Sequence, residues 1–345
     1  MCRFLVSVAA LLVAVATVRA DPPTADQIQA WIRDLDSSSF KTRDQAMRGL
    51  RQAGADAAAP LAKAARNGST EVADRALRLL GEMADGSDAK AEAAARRHLH
   101  RLADSESSIA GEARSILNRK RNRLLLQLTF AGATYRETTG GVEYIDLDEV
   151  ADLDNVLPIL KYFPETEELS ISNKRFTDAS AAHLADLPNL RDLNLYRSNI
   201  GDEGLKHLTG LKCLRRIPMG ETRVTDKGLK IISGMTQLEY VGVRANNVTD
   251  AGVAHLKGLT NLTGLYLGET KITDKGLAEL APLTKLRLLI LNQTAITDAG
   301  LEHIKGFKDL AQVTLTRTKT TKEGQARLKE ALPECEIYDA TKTDR

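Results

Sequence analysis

The sequence lacks three features that would point directly to a function class. After the first twenty residues it has no apolar run long enough to cross a membrane. Cysteine is scarce, with three residues in 345. Net charge is also absent beyond the first twenty residues: of 48 lysines and arginines only Arg3 and Arg19 lie in that segment, which has no acid, so 46 basic residues balance 46 acidic ones. Such a balance gives no electrostatic reason to expect nucleic acid as a partner.

The cysteines are placed where they cannot stabilise the fold by pairing. Cys2 precedes the N-terminal apolar run, whereas a lipoprotein cysteine would follow it. Cys213 and Cys335 lie five repeats apart in the array described below, or roughly 25 Å at about 5 Å per strand, which is beyond disulfide reach. We therefore expect packing alone to stabilise the protein.

The first twenty residues have the pattern of a secretory signal peptide. Arg3 provides a short basic start, Phe4 to Val18 is an almost unbroken apolar run, and Val18-Arg19-Ala20 places small residues at the cleavage positions. The run is short for a membrane span, although a retained N-terminal anchor is the alternative. We expect residues 1–20 to be removed during export to a periplasmic or extracellular space, with no membrane insertion afterwards.

Residues 24–126 predict an all-α domain. Apolar residues recur at helical spacing, as at Ile28, Trp31 and Leu35, and polar breakers with capping residues separate about six short helices. Each helix can bury only one face, so neighbours must stack as antiparallel hairpins. The segment from Phe40, with Gly54 downstream, resembles the HEAT-type helical repeats of bacterial exported proteins.

One pattern returns every 24 residues without insertion in the C-terminal part of the chain. It reads L-x-x-L-x-L-x-x-(T/S/N)-x-(I/V)-(T/G)-D-x-G-(L/V)-x-x-(L/I). Its first leucine recurs at Leu190, Leu214, Leu238, Leu262, Leu286 and Leu310.

This pattern resembles the leucine-rich repeats, in particular the short ribonuclease-inhibitor-like or cysteine-containing-like class. The resemblance implies an α/β solenoid, a horseshoe with a parallel inner sheet and outer helices, over residues 142–338. We expect about eight repeats and a terminal strand, after an N-terminal cap over 127–141 in which Leu128 to Tyr135 begins a hairpin, and before a flexible tail over 339–345. Strands stack about 4.8 Å apart and helices about 10 Å apart, so the sheet should be concave.

Several polar rows of the repeat have predicted structural roles. The ninth position should bury a ladder of side-chain hydrogen bonds to turn backbone. The aspartates should cap helix starts, and the glycines should permit close helix packing. Pro218 has no amide hydrogen, so we expect an irregular strand there. The ninth-position row is Ser198, Thr222, Asn246, Thr270, Thr294 and Thr318, and the aspartate row is Asp178, Asp202, Asp226, Asp250, Asp274 and Asp298.

No sequence motif predicts catalysis, a cofactor or a metal site. The chain has no nucleophile elbow, phosphate-binding loop, zinc-ligand spacing or metalloprotease helix. Histidines recur at one repeat position, but only His183 and His207 lie in adjacent repeats, on the expected convex side. We therefore predict a protein that is not an enzyme.

The residues left for function are the outward positions of the strands. Exposed tyrosine, arginine and aliphatic side chains together are typical of binding hot spots, although the same side chains could simply cover sheet backbone. The candidate contact residues are Tyr196, Arg216, Tyr240, Arg244, Tyr266, Leu288, Ile290 and Asn292. We expect a non-enzymatic scaffold whose concave face binds a protein partner. The alternative is a carbohydrate or cell-envelope polymer, since exposed tyrosines can stack on sugars.

Signal removal predicts a defined N-terminus. Because Val18 and Ala20 supply the small side chains that signal peptidase requires, the exported protein should begin at Asp21. Intact-mass measurement and N-terminal sequencing of protein from the native envelope fraction test this. A mass that includes residues 1–20 would show a retained anchor instead.

Overall fold

A computed structural model describes residues 22–339. The expected signal peptide and all of the expected tail except Asp339 lie outside these residues. The chain divides into two units between Asn122 and Arg123, which we call the helical unit and the solenoid unit. The division falls within one long helix.

The helical unit consists of α-helices that each bury one face. Serine and aspartate caps begin several of them, as predicted from the breakers: Ser39, Ser69 and Asp88 accept backbone amide hydrogen bonds from the first turns that follow them. The interior is built of alanine and leucine, including fully buried Leu50 and Leu80. The helices are α1 (Ala25–Asp34), α2 (Phe40–Ala53), α3 (Ala55–Asn67), α4 (Thr70–Asp85), α5 (Ala89–Ala103) and α6 (Ala110–Phe130).

Helix α6 continues further than the sequence suggested. Residues 127–130, assigned above to the solenoid cap, are helical, and Leu128 is fully buried in the solenoid core rather than in a strand. No helix breaker occurs before Gly132, which has a φ of 93°, so the leucine-rich stretch stays helical. The predicted hairpin exists but begins later, with β1 (Thr134–Thr138) antiparallel to β2 (Gly141–Asp146).

The solenoid unit contains one ten-stranded sheet in sequential order, parallel from β2 onward. Each parallel strand pairs with the next at a 24-residue offset, as Tyr240 with Gly264 and Gly264 with Leu288. The 24-residue period therefore sets the register directly. The remaining strands are β3 (Glu168–Ser170), β4 (Asp192–Asn194), β5 (Arg216–Pro218), β6 (Tyr240–Gly242), β7 (Gly264–Tyr266), β8 (Leu288–Ile290), β9 (Gln312–Thr314) and β10 (Glu336–Tyr338).

Short helices form the side opposite the sheet. Together with the strands they enclose a continuous core in which the pattern leucines, such as Leu262, Leu265 and Leu267, are fully buried. The α-helices are α7 (Leu153–Val156), α8 (Asp202–Leu208), α9 (Asp226–Ile232), α10 (Asp250–Val253), α11 (Asp274–Glu279), α12 (Asp298–Ile304) and α13 (Lys322–Ala331), and 3₁₀ turns cover Leu157–Tyr162, Ser180–Leu184 and Ala254–Gly258.

The backbone ladder extends past the strands into a sharp turn. Residues at one repeat position have left-handed backbone, with φ between 53° and 59°, although none is glycine. Their amides donate to carbonyls one repeat later, as Glu221 to Arg244 at 2.8 Å and Glu269 to Asn292 at 2.8 Å. These bonds offset the cost of the unusual conformation.

The aspartate row does not cap its own helices, which corrects the prediction. The preceding threonines are the caps, as Thr249 is for α10. Each aspartate carboxylate instead accepts two hydrogen bonds from the threonine one repeat later. Thr249 donates to Asp226 from its backbone amide (2.8 Å) and its hydroxyl (2.6 Å), and Thr273 donates likewise to Asp250. We call this arrangement the aspartate clamp.

The clamp recurs at five threonines, and its first copy is altered. Asp202, Asp226, Asp250, Asp274 and Asp298 each bind a threonine, whereas Asp178 binds the amides of Gly201 and Gly204. Hydrogen bonds from the Thr321 hydroxyl and amide lower the pKa of Asp298, the last aspartate of the row.

The glycine row leaves the space that the carboxylates occupy. A Cβ added at Gly252 would lie 2.2 Å from the Oδ1 atom of Asp226, and one at Gly276 would lie 2.5 Å from that of Asp250. The predicted close packing is therefore confirmed, with a more specific cause than contact between helices.

Five of the six ninth-position residues make the predicted hydrogen bonds to turn backbone, and Ser198, whose buried hydroxyl has no hydrogen-bond partner, is the exception. Asn246 reaches the preceding repeat, donating to the Met219 carbonyl and the Thr222 hydroxyl at 3.0 Å each. The threonines instead donate to carbonyls three residues earlier in their own turns, as Thr270 does to Leu267 at 2.6 Å. Most hydrogen bonds of this row therefore stay within one turn.

Pro218 produces the predicted irregularity. Strands β4 and β5 pair only at Asp192 and Arg216, whereas β5 and β6 pair at three positions. The Leu195 amide still donates to the Pro218 carbonyl at 2.7 Å, which keeps the strands aligned.

The predicted fold class is confirmed: an all-α domain precedes an α/β solenoid with a parallel sheet and helices on its other side. Both cysteines in residues 22–339 are free. Within the same range, no helix combines the length and the apolar character that crossing a membrane requires.

Because the aspartate clamp fills the space beside the glycine row, adding one methyl group there should destabilise the fold. Gly252→Ala should lower the free energy of unfolding by about 1–3 kcal/mol, because the added Cβ displaces the Asp226 carboxylate. Gly258→Ala is the matched control, since a Cβ there meets nothing within 4 Å. Urea denaturation of both variants tests this, and equal shifts would contradict the role of the glycine row.

Candidate functional site

The outward side chains of the strands form one surface, which we call the sheet face. On each strand the intervening residues point into the core, as Leu265 and Leu289 do with no exposed area. All eight candidate contact residues belong to the sheet face. They lie in three columns, and each column takes the residue at one repeat position from successive strands.

The first column holds an ion pair and a stacked ring. The Nε atom of Arg216 donates to Asp192 at 2.7 Å, and its guanidinium carbon lies 4.7 Å from the centroid of the Tyr240 ring. The Tyr240 ring in turn lies against Gly264 on the next strand, where an added Cβ would be 2.6 Å from its Cδ2 atom. Glycine therefore makes room for tyrosine on the neighbouring strand.

Tyr240 and Tyr266 form a diagonal aromatic pair across two strands. Their ring centroids are 5.3 Å apart with planes at 53°, a tilted arrangement that aromatic rings favour. Burial, followed by the proximity of Tyr266, raises the pKa of the Tyr240 hydroxyl. This tyrosine thus stays neutral at physiological pH and acts as part of a packed surface.

The third column holds a charged network that crosses a glycine. Arg244 Nη1 donates to the Tyr196 hydroxyl at 2.9 Å, although the two residues lie two strands apart. Gly220 lies between them and has no side chain to separate them. Arg244 also contacts Glu221 at 3.2 Å and Glu269 at 2.6 Å. Its charge is therefore compensated within the chain.

Glu221 connects the same network to a second arginine. It accepts from the Tyr196 hydroxyl and, at 2.9 Å, from Nε of Arg197. Hydrogen bonds from Arg197 and then Tyr196 lower the pKa of Glu221, while the bond to Glu221 raises that of Tyr196. The arrangement keeps the carboxylate ionised and the phenol neutral.

Sequence reasoning missed Glu221 and Glu269. Both occupy the left-handed turn position, with φ of 53° and 58°, where the chain bends back toward the sheet face. The signal was the 24-residue spacing from Arg197 to Glu221, Ala245 and Glu269, which forms a fourth outward column.

The remaining candidates differ in how much surface they offer. Leu288 is half-buried, whereas Ile290, paired in register with Tyr266, is only 8% exposed. The Asn292 side chain lies over Gly268, where an added Cβ would be 2.2 Å from its Oδ1 atom. Tyr266 and Leu288 are therefore the larger side chains most available in this part of the face.

In the first three columns, the outward positions on and just after β7, β8 and β9 carry no charge, and we call them the uncharged patch; Glu269 and Arg317 of the fourth column flank it. The two larger apolar side chains of this patch stand beside glycines and short polar side chains. The patch consists of Gly264, Tyr266, Gly268, Leu288, Ile290, Asn292, Gln312, Thr314 and Thr316.

A metal site finds no geometric support in residues 22–339. No group of three or more histidine, cysteine, aspartate or glutamate side chains there could hold a metal ion. His207 and His303 lie on the short helices α8 and α12, opposite the sheet.

Comparison with protein-family models identifies the repeat. A model described as leucine rich repeat matches residues 236–296, and a second with the same description matches residues 186–208. The chain therefore contains leucine-rich repeats, as its pattern implied. A comparison with curated proteins found no match.

Solved structures with similar repeats include bacterial proteins. An internalin (InlF) from Listeria monocytogenes is 22% identical with a TM-score of 0.43, over 54% of this chain and 58% of that one. Internalin C2 from the same organism is 28% identical with a TM-score of 0.39, over 46% and 66%. A leucine-rich-repeat protein of Leptospira interrogans is 19% identical with a TM-score of 0.37, over 52% and 50%. The chain thus spans less than two thirds of each of these proteins.

The packing of tyrosine on glycine predicts a specific defect. Gly264→Ala should displace the Tyr240 ring, lower the free energy of unfolding by about 1–3 kcal/mol and weaken the near-ultraviolet circular dichroism of the tyrosine pair. Gly234→Ala, where a Cβ meets nothing within 4 Å, should change neither quantity. If the two variants gave the same spectrum, the ring would not depend on Gly264.

Proposed function

We propose that this protein is an exported, non-enzymatic scaffold that binds a protein partner through its sheet face, centred on the uncharged patch. The leucine-rich repeats support a role in protein interaction, because such folds present an extended surface that the core does not use.

The observation that carries the proposal is the composition of the uncharged patch. Tyr266 and Leu288 project from neighbouring strands, while the solenoid core is filled by the alternate residues Leu265 and Leu289. An apolar pair on a patch with no charge is costly to hydrate and gains free energy when a partner covers it. Aromatic and aliphatic side chains of this kind anchor protein interfaces.

The charged candidates support a binding surface that is already rigid. Arg244 is held between two glutamates, and Arg216 is paired with Asp192 and stacked on Tyr240. Side chains fixed in this way lose little conformational entropy when a partner binds. These side chains lie beside the uncharged patch, and the free energy of binding comes mainly from the patch itself.

Carbohydrate or envelope-polymer binding has less support. Stacking on a sugar requires an open ring face, but Tyr240 has Arg216 4.7 Å from its ring centroid and lies against Gly264. Tyr266 is tilted against Tyr240 and cannot extend that platform in the same plane.

Three finer assignments belong to the same proposal. The repeats are of the short ribonuclease-inhibitor-like or cysteine-containing-like class, in keeping with their uninterrupted 24-residue register. The helical unit is of HEAT type, in keeping with its six helices. Export to a periplasmic or extracellular space rests on the apolar N-terminal segment.

The test is affinity capture from the native envelope fraction. The double variant Tyr266→Ser with Leu288→Ser should lose the partner captured by the unaltered protein, because it removes the apolar anchors without adding charge. Both side chains are partly exposed, so the fold should persist.

The control places two serine substitutions on the opposite side. Lys275→Ser with Ala299→Ser alters exposed positions of α11 and α12 and should leave capture unchanged. Full capture by the Tyr266 and Leu288 variant, with an unchanged urea midpoint, would overturn binding at this face.

A further inference from the structure

The charge of the sheet face changes along the solenoid. In the first three columns, the outward positions on and just after β2, β3 and β4 include four carboxylates and no lysine or arginine. Arginines of these columns within residues 22–339 lie at Arg136 on β1 and at Arg216 and Arg244, and the uncharged patch follows. The four acids of this acidic end are Asp146, Asp148, Glu168 and Asp192.

Two of the four acids are already neutralised by arginines of this chain. Asp192 pairs with Arg216 at 2.7 Å, and Glu168 lies 3.5 Å from Arg136 on β1. A partner would gain little from these two, since their charge is compensated and partly exposed.

Asp146 and Asp148 are held by neutral donors instead. Asp146 accepts from the Tyr144 hydroxyl at 2.9 Å and from the Asp148 amide at 2.9 Å. Asp148 accepts from the Ser170 hydroxyl at 2.9 Å and the Ser172 amide at 2.6 Å. No ion pair joins either aspartate to a cation within residues 22–339, and both remain partly exposed.

The donors fix the two carboxylates without cancelling their charge. A hydroxyl or amide orients a carboxylate without pairing it with a cation, so the negative charge faces outward. Burial and then Asp146 raise the pKa of Tyr144 to about 12, so this phenol stays neutral beside them. The end of the face therefore presents preorganised negative charge.

Six strand spacings separate β2 from β8. At about 4.8 Å per spacing, the two fixed carboxylates and Leu288 lie roughly 29 Å apart along the sheet. An extended peptide covers that distance with about nine residues. One linear segment can therefore contact both ends of the face at once.

We infer that the partner of this face is a protein segment with basic side chains at one end and uncharged aromatic or aliphatic side chains at the other. This inference rests on the proposed function and adds the chemistry and direction of the partner. The basic end lies over Asp146 and Asp148, where the charges are complementary. The apolar end lies over Tyr266 and Leu288, where a charged side chain would be desolvated without compensation.

The experiment uses random 12-residue peptides displayed on phage and selected against the exported chain. Selected peptides should carry lysine or arginine in one half and aromatic or aliphatic residues in the other. Synthetic copies should bind more weakly as salt concentration rises, because the contact over the acidic end is between charges.

One pair of substitutions tests the acidic end of the face, and a second pair on the opposite side is its control. Asp146→Asn with Asp148→Asn should weaken peptide binding about fivefold at low salt and remove most of its salt dependence. Glu203→Gln with Glu302→Gln removes two exposed carboxylates from α8 and α12 and should have no effect. Replacing the peptide's own lysines by glutamine should reproduce the loss on the unaltered protein, without any change to its fold.

The outcomes distinguish this inference from the proposed function. Peptides that depend on Tyr266 and Leu288 but show no basic half, or ignore the change at Asp146 and Asp148, would overturn the inference and leave binding at the patch intact. Peptides that ignore both pairs of face variants would overturn both.

Discussion

The aspartate clamp is the interaction on which the solenoid depends. Each repeat has only a three-residue strand and a helix of four to seven residues in its central copies, for example β7 and α10. Neither element would be stable alone. The clamp satisfies the amide and hydroxyl of a helix cap with a carboxylate from the previous repeat, so the starts of α9 to α13 each depend on the neighbouring repeat. The glycine row makes this contact possible.

The clamp also explains how the residues of the repeat are divided between structure and function. Leucines fill the core, and the threonine, aspartate and glycine rows join consecutive repeats. The strand positions that point outward take part in neither role. Their composition can vary along the array without loss of register, and it changes here from acidic, through arginine-containing, to uncharged.

Glycines on the sheet face extend the same principle to the binding surface. Gly220 lets Tyr196 and Arg244 meet across two strands, and Gly264 receives the Tyr240 ring. These contacts lay large side chains along the sheet and fix them. The result is a broad surface of ordered groups, which suits contact with a protein segment better than enclosure of a small molecule.

The sequence period was sufficient to predict the strands, their register and the core, because a 24-residue repeat leaves one consistent pairing. The period was not sufficient to predict the side-chain contacts between one repeat and the next. The aspartate next to a cap threonine looked like a local cap, since its partner lies 23 residues away and becomes visible only when repeats stack. Glu221 and Glu269 were missed because left-handed turns return them to the face.

At two other places, helix α6 and Ile290, the structure differs from the sequence-based prediction for a local reason. The leucines before Phe130 suit a helix and a strand equally by composition, and the absence of a breaker before Gly132 decided for the helix. Ile290 was predicted as a contact residue because it points outward, but its side chain is almost covered on the sheet. The alternation of residues along a strand predicts which way a side chain points, whereas its burial depends on the size of the neighbouring side chains.

The most direct test of this account is a double-mutant cycle on one clamp, with Asp250→Ala, Thr273→Val and their combination compared by urea denaturation. The account predicts a coupling free energy of about 1–2 kcal/mol, because the carboxylate accepts from the Thr273 hydroxyl at 2.6 Å. Strictly additive effects would contradict it, since the two side chains would then stabilise the solenoid independently.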